Sequence, residues 1–183
     1  GAFAFDTYIA GGEQNVFGTI GGSTTISGSG VQNLVAGSNI RISEENDKIT
    51  INGGTQNVNI DIDAATAEKI IMNYGEQNIQ AVASISGMKI AGMNGLNGIM
   101  NVFGTAENTA IKSGGIMNIK ESTSKITGTT NTVDQGGVVE FQTSTFLTDA
   151  GSAMSFNGGT LRLGENNTSV TTSSDLLIRG NGN

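Results

Sequence analysis

A chain of 183 residues with no histidine, cysteine, tryptophan or proline and a formal charge of −7 excludes more than it suggests. Without His or Cys, the usual general base, thiol nucleophile and zinc ligands are missing, so no catalytic residue, cofactor or metal site is assigned and a non-enzymatic role is expected. The nine basic residues are scattered along the chain, so there is no cationic footprint to neutralise phosphates or anionic headgroups, and neither a nucleic-acid partner nor electrostatic membrane docking is expected.

Twenty-eight glycines and low charge could indicate disorder, but 36% of the residues are apolar and recur at ordered positions, which argues for a packed fold. No apolar run approaches the length of a membrane span, so no membrane insertion of this segment is expected. The absence of cysteine fits a reducing cytosol as well as an exported bacterial protein.

Residues 1–11 read as an N-terminal lead-in strand or cap, with apolar and small residues alternating over Ala2–Phe5. Residues 12–175 are a repeat array. Aligned on a glycine, its copies read Gly12-Glu-Gln-Asn-Val16, Gly30-Val-Gln-Asn-Leu34, Gly54-Thr-Gln-Asn-Val58 and Gly75-Glu-Gln-Asn-Ile79. They continue as Gly98-Ile-Met-Asn-Val102, Gly115-Ile-Met-Asn-Ile119, Gly137-Val-Val-Glu-Phe141 and Gly159-Thr-Leu-Arg-Leu163. The steps between anchor glycines run from 17 to 24 residues and average 21. Self-similarity at such a period marks a solenoid. Residues 176–183 read as a C-terminal strand and a frayed end.

Each unit is expected to hold two short strands, the anchor and a second strand just before the next anchor glycine. The second ends on Ile26, Ile51, Met72, Ile111, Val133 or Phe156, three or four residues before that glycine. Ile90 is the exception at eight residues, with Ala91–Asn97 filling the gap. Successive strand residues face opposite sides, so the substitutions report orientation. The third anchor position takes Gln or apolar residues and the fifth only apolar ones, so both face inward. The fourth is Asn six times, then Glu140 and Arg162, so it reaches water. Asn15, Asn33, Asn57, Asn78, Asn101 and Asn118 are therefore expected to stack as an outer amide ladder. The anchor glycines suit corners that need positive φ. Between the anchors, Ile40–Ile51 reads as two strands around a polar turn, a candidate hairpin. Asp63 is a candidate N-cap for a short helix, with a rung strand over Lys69–Met72 as the alternative. The fold class is all-β, a parallel β-helix (β-solenoid) with about 21 residues per rung, roughly 40 Å long at about 4.8 Å per rung.

Repeats of this form resemble the passenger repeats of AIDA-type autotransporter adhesins. The match is clearest at Gly11-Gly-Glu-Gln-Asn-Val-Phe-Gly-Thr-Ile-Gly-Gly-Ser-Thr-Thr-Ile26 and at Gly98-Ile-Met-Asn-Val-Phe-Gly-Thr-Ala-Glu-Asn-Thr-Ala-Ile111. The resemblance implies a cell-surface adhesin stalk that mediates or supports adhesion and self-aggregation. It would be displayed on a bacterial surface or secreted, held to the outer membrane through a domain not in this sequence. The implied partners are host-cell or bacterial surface receptors or glycans, with self-association. Thr24 and Thr25 fall where the family's glycosylated Thr-rich strand lies.

The alternative is a glycan-binding or glycan-processing β-helix of the tailspike or polysaccharide-lyase type. Its chemistry would fall to Asp61 and Asp63, two apart on one strand face, as an acid/base pair or calcium site; the bland reading is two solvated carboxylates. Nine aromatic residues and no Trp disfavour sugar stacking. Phe17 and Phe103 follow an anchor and are expected to pack back on the core from a corner rather than serve as adhesive contacts. No regular Thr-x-Thr array is present to suggest an ice-binding face.

Overall fold

The computed structural model describes residues 3–42, 44–164, 171–172 and 177–181. The chain is a parallel β-solenoid of about eight turns, with about 21 residues per turn and almost no helix. The coils have three strand faces rather than the expected two, with one interruption of the third face. An anchor face carries the Gln-Asn motif, a return face precedes it, and a third face precedes that. The third face is built from Asn39–Arg41, Ser84–Ser86, Thr105–Glu107, Lys125–Thr127 and Thr145–Thr148, with the start of the long strands Phe3–Val16 and Thr19–Leu34. Its inward column holds one residue per coil, among them Ile20, Ile85, Ala106 and Ile126, all fully buried. A single apolar residue among Ser, Thr and Asn leaves no alternation to read, which is why the sequence hid this face.

The lead-in segment is part of the first coil. Phe3–Phe5 pairs with Thr19–Gly21, Thr7–Ile9 with Thr24–Ile26, and Gly11–Val16 with Ser29–Leu34, all in parallel. At the other end, Leu177–Asn181 pairs in parallel with Ala153–Asn157. The expected frayed end, 182–183, lies outside the described residues.

The return-face column is unbroken: Ile9, Ile26, Ile51, Met72, Ile90, Ile111, Val133 and Phe156 are register partners from coil to coil. Ile90 keeps its place because its extra residues leave the stack at a corner. There Met93 and Leu96 exchange two backbone hydrogen bonds of 3.0 Å. Asn94 and Gly95 between them have φ of 56° and 77°, the two left-handed residues of a type I′ hairpin turn.

Ile40–Ile51 does not form a hairpin. Asn39–Arg41 pairs in parallel with Thr19–Gly21, and Ile49–Ile51 with Thr24–Ile26. The two strands are successive faces of one coil, because parallel pairing drops their isoleucines into existing columns. Both expectations for Asp63–Met72 hold together. Asp63 caps a one-turn helix, α1 (Ala64–Ala67), accepting from the Thr66 N–H at 2.8 Å, and the next strand begins at Ile70. On the third face, coil four contributes a single bridge, Ile62 to Ile85, and no described ladder joins it to Asn39–Arg41. The face is therefore interrupted where α1 enters.

Most anchor glycines are required by contact rather than by φ. In four of the double-glycine corners the first residue takes positive φ, at Gly53, Gly114, Gly136 and Gly158, whereas at Gly11–Gly12 it is the second. The anchor glycine that follows lies against the previous coil: a Cβ on Gly115 would sit 2.3 Å from the Ile90 carbonyl oxygen. Substitution there moves backbone, not merely a side chain.

Candidate functional site

Two amide ladders run up the anchor face from adjacent positions. The register pairs Gln14, Gln32, Gln56 and Gln77 in one column, continued by Met100, Met117, Val139 and Leu161. This column points inward, and Gln32, Gln56 and Gln77 are fully buried. Each Nε2 donates to the Oε1 of the coil before it, at 2.8, 2.9 and 2.8 Å. The ladder stops at the Gln77 Oε1, which faces Met100 and has no partner.

The outer ladder joins the six asparagines as expected. Asn33, Asn57, Asn78, Asn101 and Asn118 each donate through Nδ2 to the Oδ1 below, at 2.7–2.9 Å. Glu13 and Glu76 brace it by accepting from Asn33 and Asn101. A primary amide has two N–H donors and two acceptor lone pairs. Each interior rung uses one of each within the ladder; Asn57 and Asn78 keep one of each for solvent or a partner, whereas Asn33 and Asn101 spend the second N–H on Glu13 and Glu76 and keep only an acceptor. Where the column changes to Glu140, Asn118 meets a carboxylate in register.

Beside the outer ladder, at the corner after the anchor strands, lies a cleft of about 530 Å³ lined by Asn33, Leu34, Val35, Asn57, Asn59, Gln80, Ala81 and Val82. Its walls are two turns. Val35–Ser38 closes through Ser38 N–H to the Val35 carbonyl at 2.9 Å, with Gly37 at φ 86°; Gln80–Ala83 closes in the same way at 2.9 Å. Coil three lacks a matching turn, since Asn59 leads directly into Ile60–Ile62, and so it forms the floor. Backbone bonds Val35 N–H to Val16, Asn59 N–H to Leu34 and Gln80 N–H to Val58 carry the corner from coil to coil. No lining side chain is charged.

The residues singled out in the sequence are dispersed. Phe17 does not pack back on the core: it is 78% exposed. Phe103 follows Gln80 and precedes Lys120 on the same corner and is half-buried. Thr24 is fully buried, with its hydroxyl lacking a partner, so it cannot accept a sugar in the folded chain; Thr25 is half-buried.

Asp61 and Asp63 line a second hollow of about 210 Å³ at the interrupted third face, with Ser38, Asn39, Ile40 and Thr66. Both carboxylates are engaged structurally. Asp61 accepts from the Ser84 N–H at 2.9 Å and the Ser84 hydroxyl at 2.6 Å. Asp63 caps α1, and the Thr66 backbone N–H holds its carboxyl below the ordinary carboxylate range. A glycosidic general acid requires the opposite shift. Among the described residues no three Asp or Glu gather to hold a metal ion.

The corner cleft was not visible in the sequence. Val35–Ser38 and Gln80–Ala83 read only as variable spacing between repeats, and Ala-Gly and Ala-Val turns carry no motif. Comparison of the chain with protein families, with curated proteins and with solved structures gives no match.

Proposed function

We propose that this chain is a segment of the stalk of a bacterial surface adhesin, mediating or supporting adhesion and self-aggregation at the cell surface or in the secreted fraction. The observation that carries this reading is the outer asparagine ladder, a continuous row of side-chain amides along six coils, braced by Glu13 and Glu76. Such a row gives a long polar contact surface whose remaining hydrogen-bonding capacity another copy or a receptor could meet. The resemblance of the Gly-x-Gln-Asn-Val repeats to AIDA-type passenger repeats supports the same reading.

The experiment is surface display. The chain is fused to a translocating barrel on a non-adherent bacterium, and clumping and binding to epithelial cells are scored. Either response is expected. A folded, displayed chain that produces neither refutes the adhesive reading. The glycan-processing alternative predicts a polysaccharide cleavage product that vanishes in Asp61→Asn or Asp63→Asn. The hydrogen bonds of these carboxylates to Ser84 and Thr66 favour the stalk over that alternative.

A further inference from the structure

From the geometry of the corner cleft we infer that it is a binding site for an uncharged oligosaccharide; this rests on the adhesive reading and gives it a ligand. The inference starts from amides without partners. Asn59 and Gln80 are half-buried on the floor and wall of the cleft, and neither side chain is hydrogen-bonded within the described residues. Beside them Asn57 keeps one N–H and one acceptor lone pair beyond its ladder bonds, and Asn33, whose two N–H groups go to Asn15 and Glu13, keeps an acceptor lone pair. Four amides thus line one open corner across three successive coils.

Amides offer a donor and an acceptor on the same group, and so do sugar hydroxyls; the two match without a change of protonation. The cleft also offers apolar surface in Leu34, Val35, Ala81 and Val82, the last 80% exposed. That combination suits a ring with hydroxyls on its rim and C–H groups on its faces. An extended peptide fits poorly, because strand addition needs free backbone groups. Here the Val35, Asn59 and Gln80 N–H groups are already bonded to the coil below. An acidic polysaccharide finds no cation in the lining and a chain of net charge −7 around it.

The test titrates the purified 183-residue chain with hexasaccharides of β-1,4-glucan, α-1,4-glucan and β-1,4-mannan, and with oligogalacturonate as the acidic control, following the side-chain amide resonances by NMR. Saturable shifts confined to Asn33, Asn57, Asn59 and Gln80 are expected with at least one neutral sugar, and none with oligogalacturonate. Ala81→Trp fills the cleft, and Val82→Asp places a charge on an exposed turn position that tolerates it. Each is expected to weaken binding at least about tenfold with an unchanged circular dichroism spectrum. The inference is overturned if no neutral hexasaccharide shifts these resonances, if oligogalacturonate binds equally, or if both folded variants bind as the parent does. A chain that clumps cells but binds no neutral sugar overturns the cleft assignment alone. A chain that binds sugar but adheres to nothing overturns only the adhesive reading.

Discussion

The inner and outer ladders occupy neighbouring positions on the same strands, use the same amide chemistry and have nearly equal hydrogen-bond lengths, yet they tolerate different replacements. The outer column gives way to Glu140 and Arg162, the inner one to Met100, Met117, Val139 and Leu161. Water accounts for the difference. An outer amide that loses its neighbour rebonds to solvent. An inner one cannot, so the buried column changes in blocks: four glutamines, then only apolar residues. Replacing both partners of a buried hydrogen bond is close to neutral, whereas stranding one is costly. The boundary at Gln77 leaves one stranded acceptor, and a block change leaves no more than that.

Substitutions should separate the two columns by size of effect. The largest is expected where both are disrupted together. A Cβ on Gly98 would lie 1.9 Å from the Ala91 carbonyl oxygen and 2.8 Å from the Met72 sulfur. Gly98→Ala should force coils four and five apart, at a cost of about 4 kcal/mol, read as a lower urea midpoint. Next is Gln56→Met, which fills the same volume but strands the Gln32 acceptor and the Gln77 donor. Two buried groups without partners should cost about 3 kcal/mol. On the outer column, Asn57→Ala removes the same two bonds within reach of water and should cost about 1 kcal/mol. Equal losses for Gln56→Met and Asn57→Ala would show that burial does not distinguish the ladders. Smaller still is Gln77→Met. It removes one stranded acceptor and creates another on Gln56, so the boundary shifts by one coil with a change below about 1 kcal/mol.

The smallest effect is in acid, where neither ladder titrates. Lys112 donates to Asp134, which also accepts from Asn157, and together they hold the Asp134 carboxyl below its ordinary range; the Thr66 N–H does the same to Asp63. A folded value below the unfolded one gives stability that is present above about pH 4 and is lost as pH falls through the folded value. Because both groups are solvated, each should contribute less than about 1 kcal/mol. Asp134→Asn should lower the urea midpoint slightly at pH 7, by less than about 1 kcal/mol, and the two proteins should converge as pH falls through the folded value, so that part of the acid limb is flattened.

Much of this was legible because repetition serves as an alignment within one chain. Eight copies of a column report which side chains accept charge, and that fixed the inward Gln and outward Asn positions. The same logic failed where a column is one residue wide. Ile85, Ala106 and Ile126 stack perfectly in register, but a lone apolar residue in each coil has no periodic partner. It failed again at Ile40–Ile51, where local alternation suggested antiparallel pairing and the coil below dictated parallel pairing. Phe17 was misjudged for a related reason. Its surroundings are set by what neighbouring coils place beside it in space, which the linear order does not carry; Phe103 lies between Gln80 and Lys120 and is half-buried. The corner cleft depends on a turn that coil three lacks, and a missing turn is visible only against its neighbours in space.

The ladders also give the rod a direction. In a parallel sheet the backbone dipoles alternate and nearly cancel. The side-chain amides do not: every ladder Nε2 and Nδ2 points toward the preceding coil, and every oxygen toward the following one. The ten amides are aligned dipoles, as the peptide units of a helix are, with the positive pole at the first coil. The solenoid is electrically a bar magnet's analogue, distinguishing its own head from its tail; two such rods lying side by side are favoured in antiparallel alignment, and two meeting end to end in the same sense.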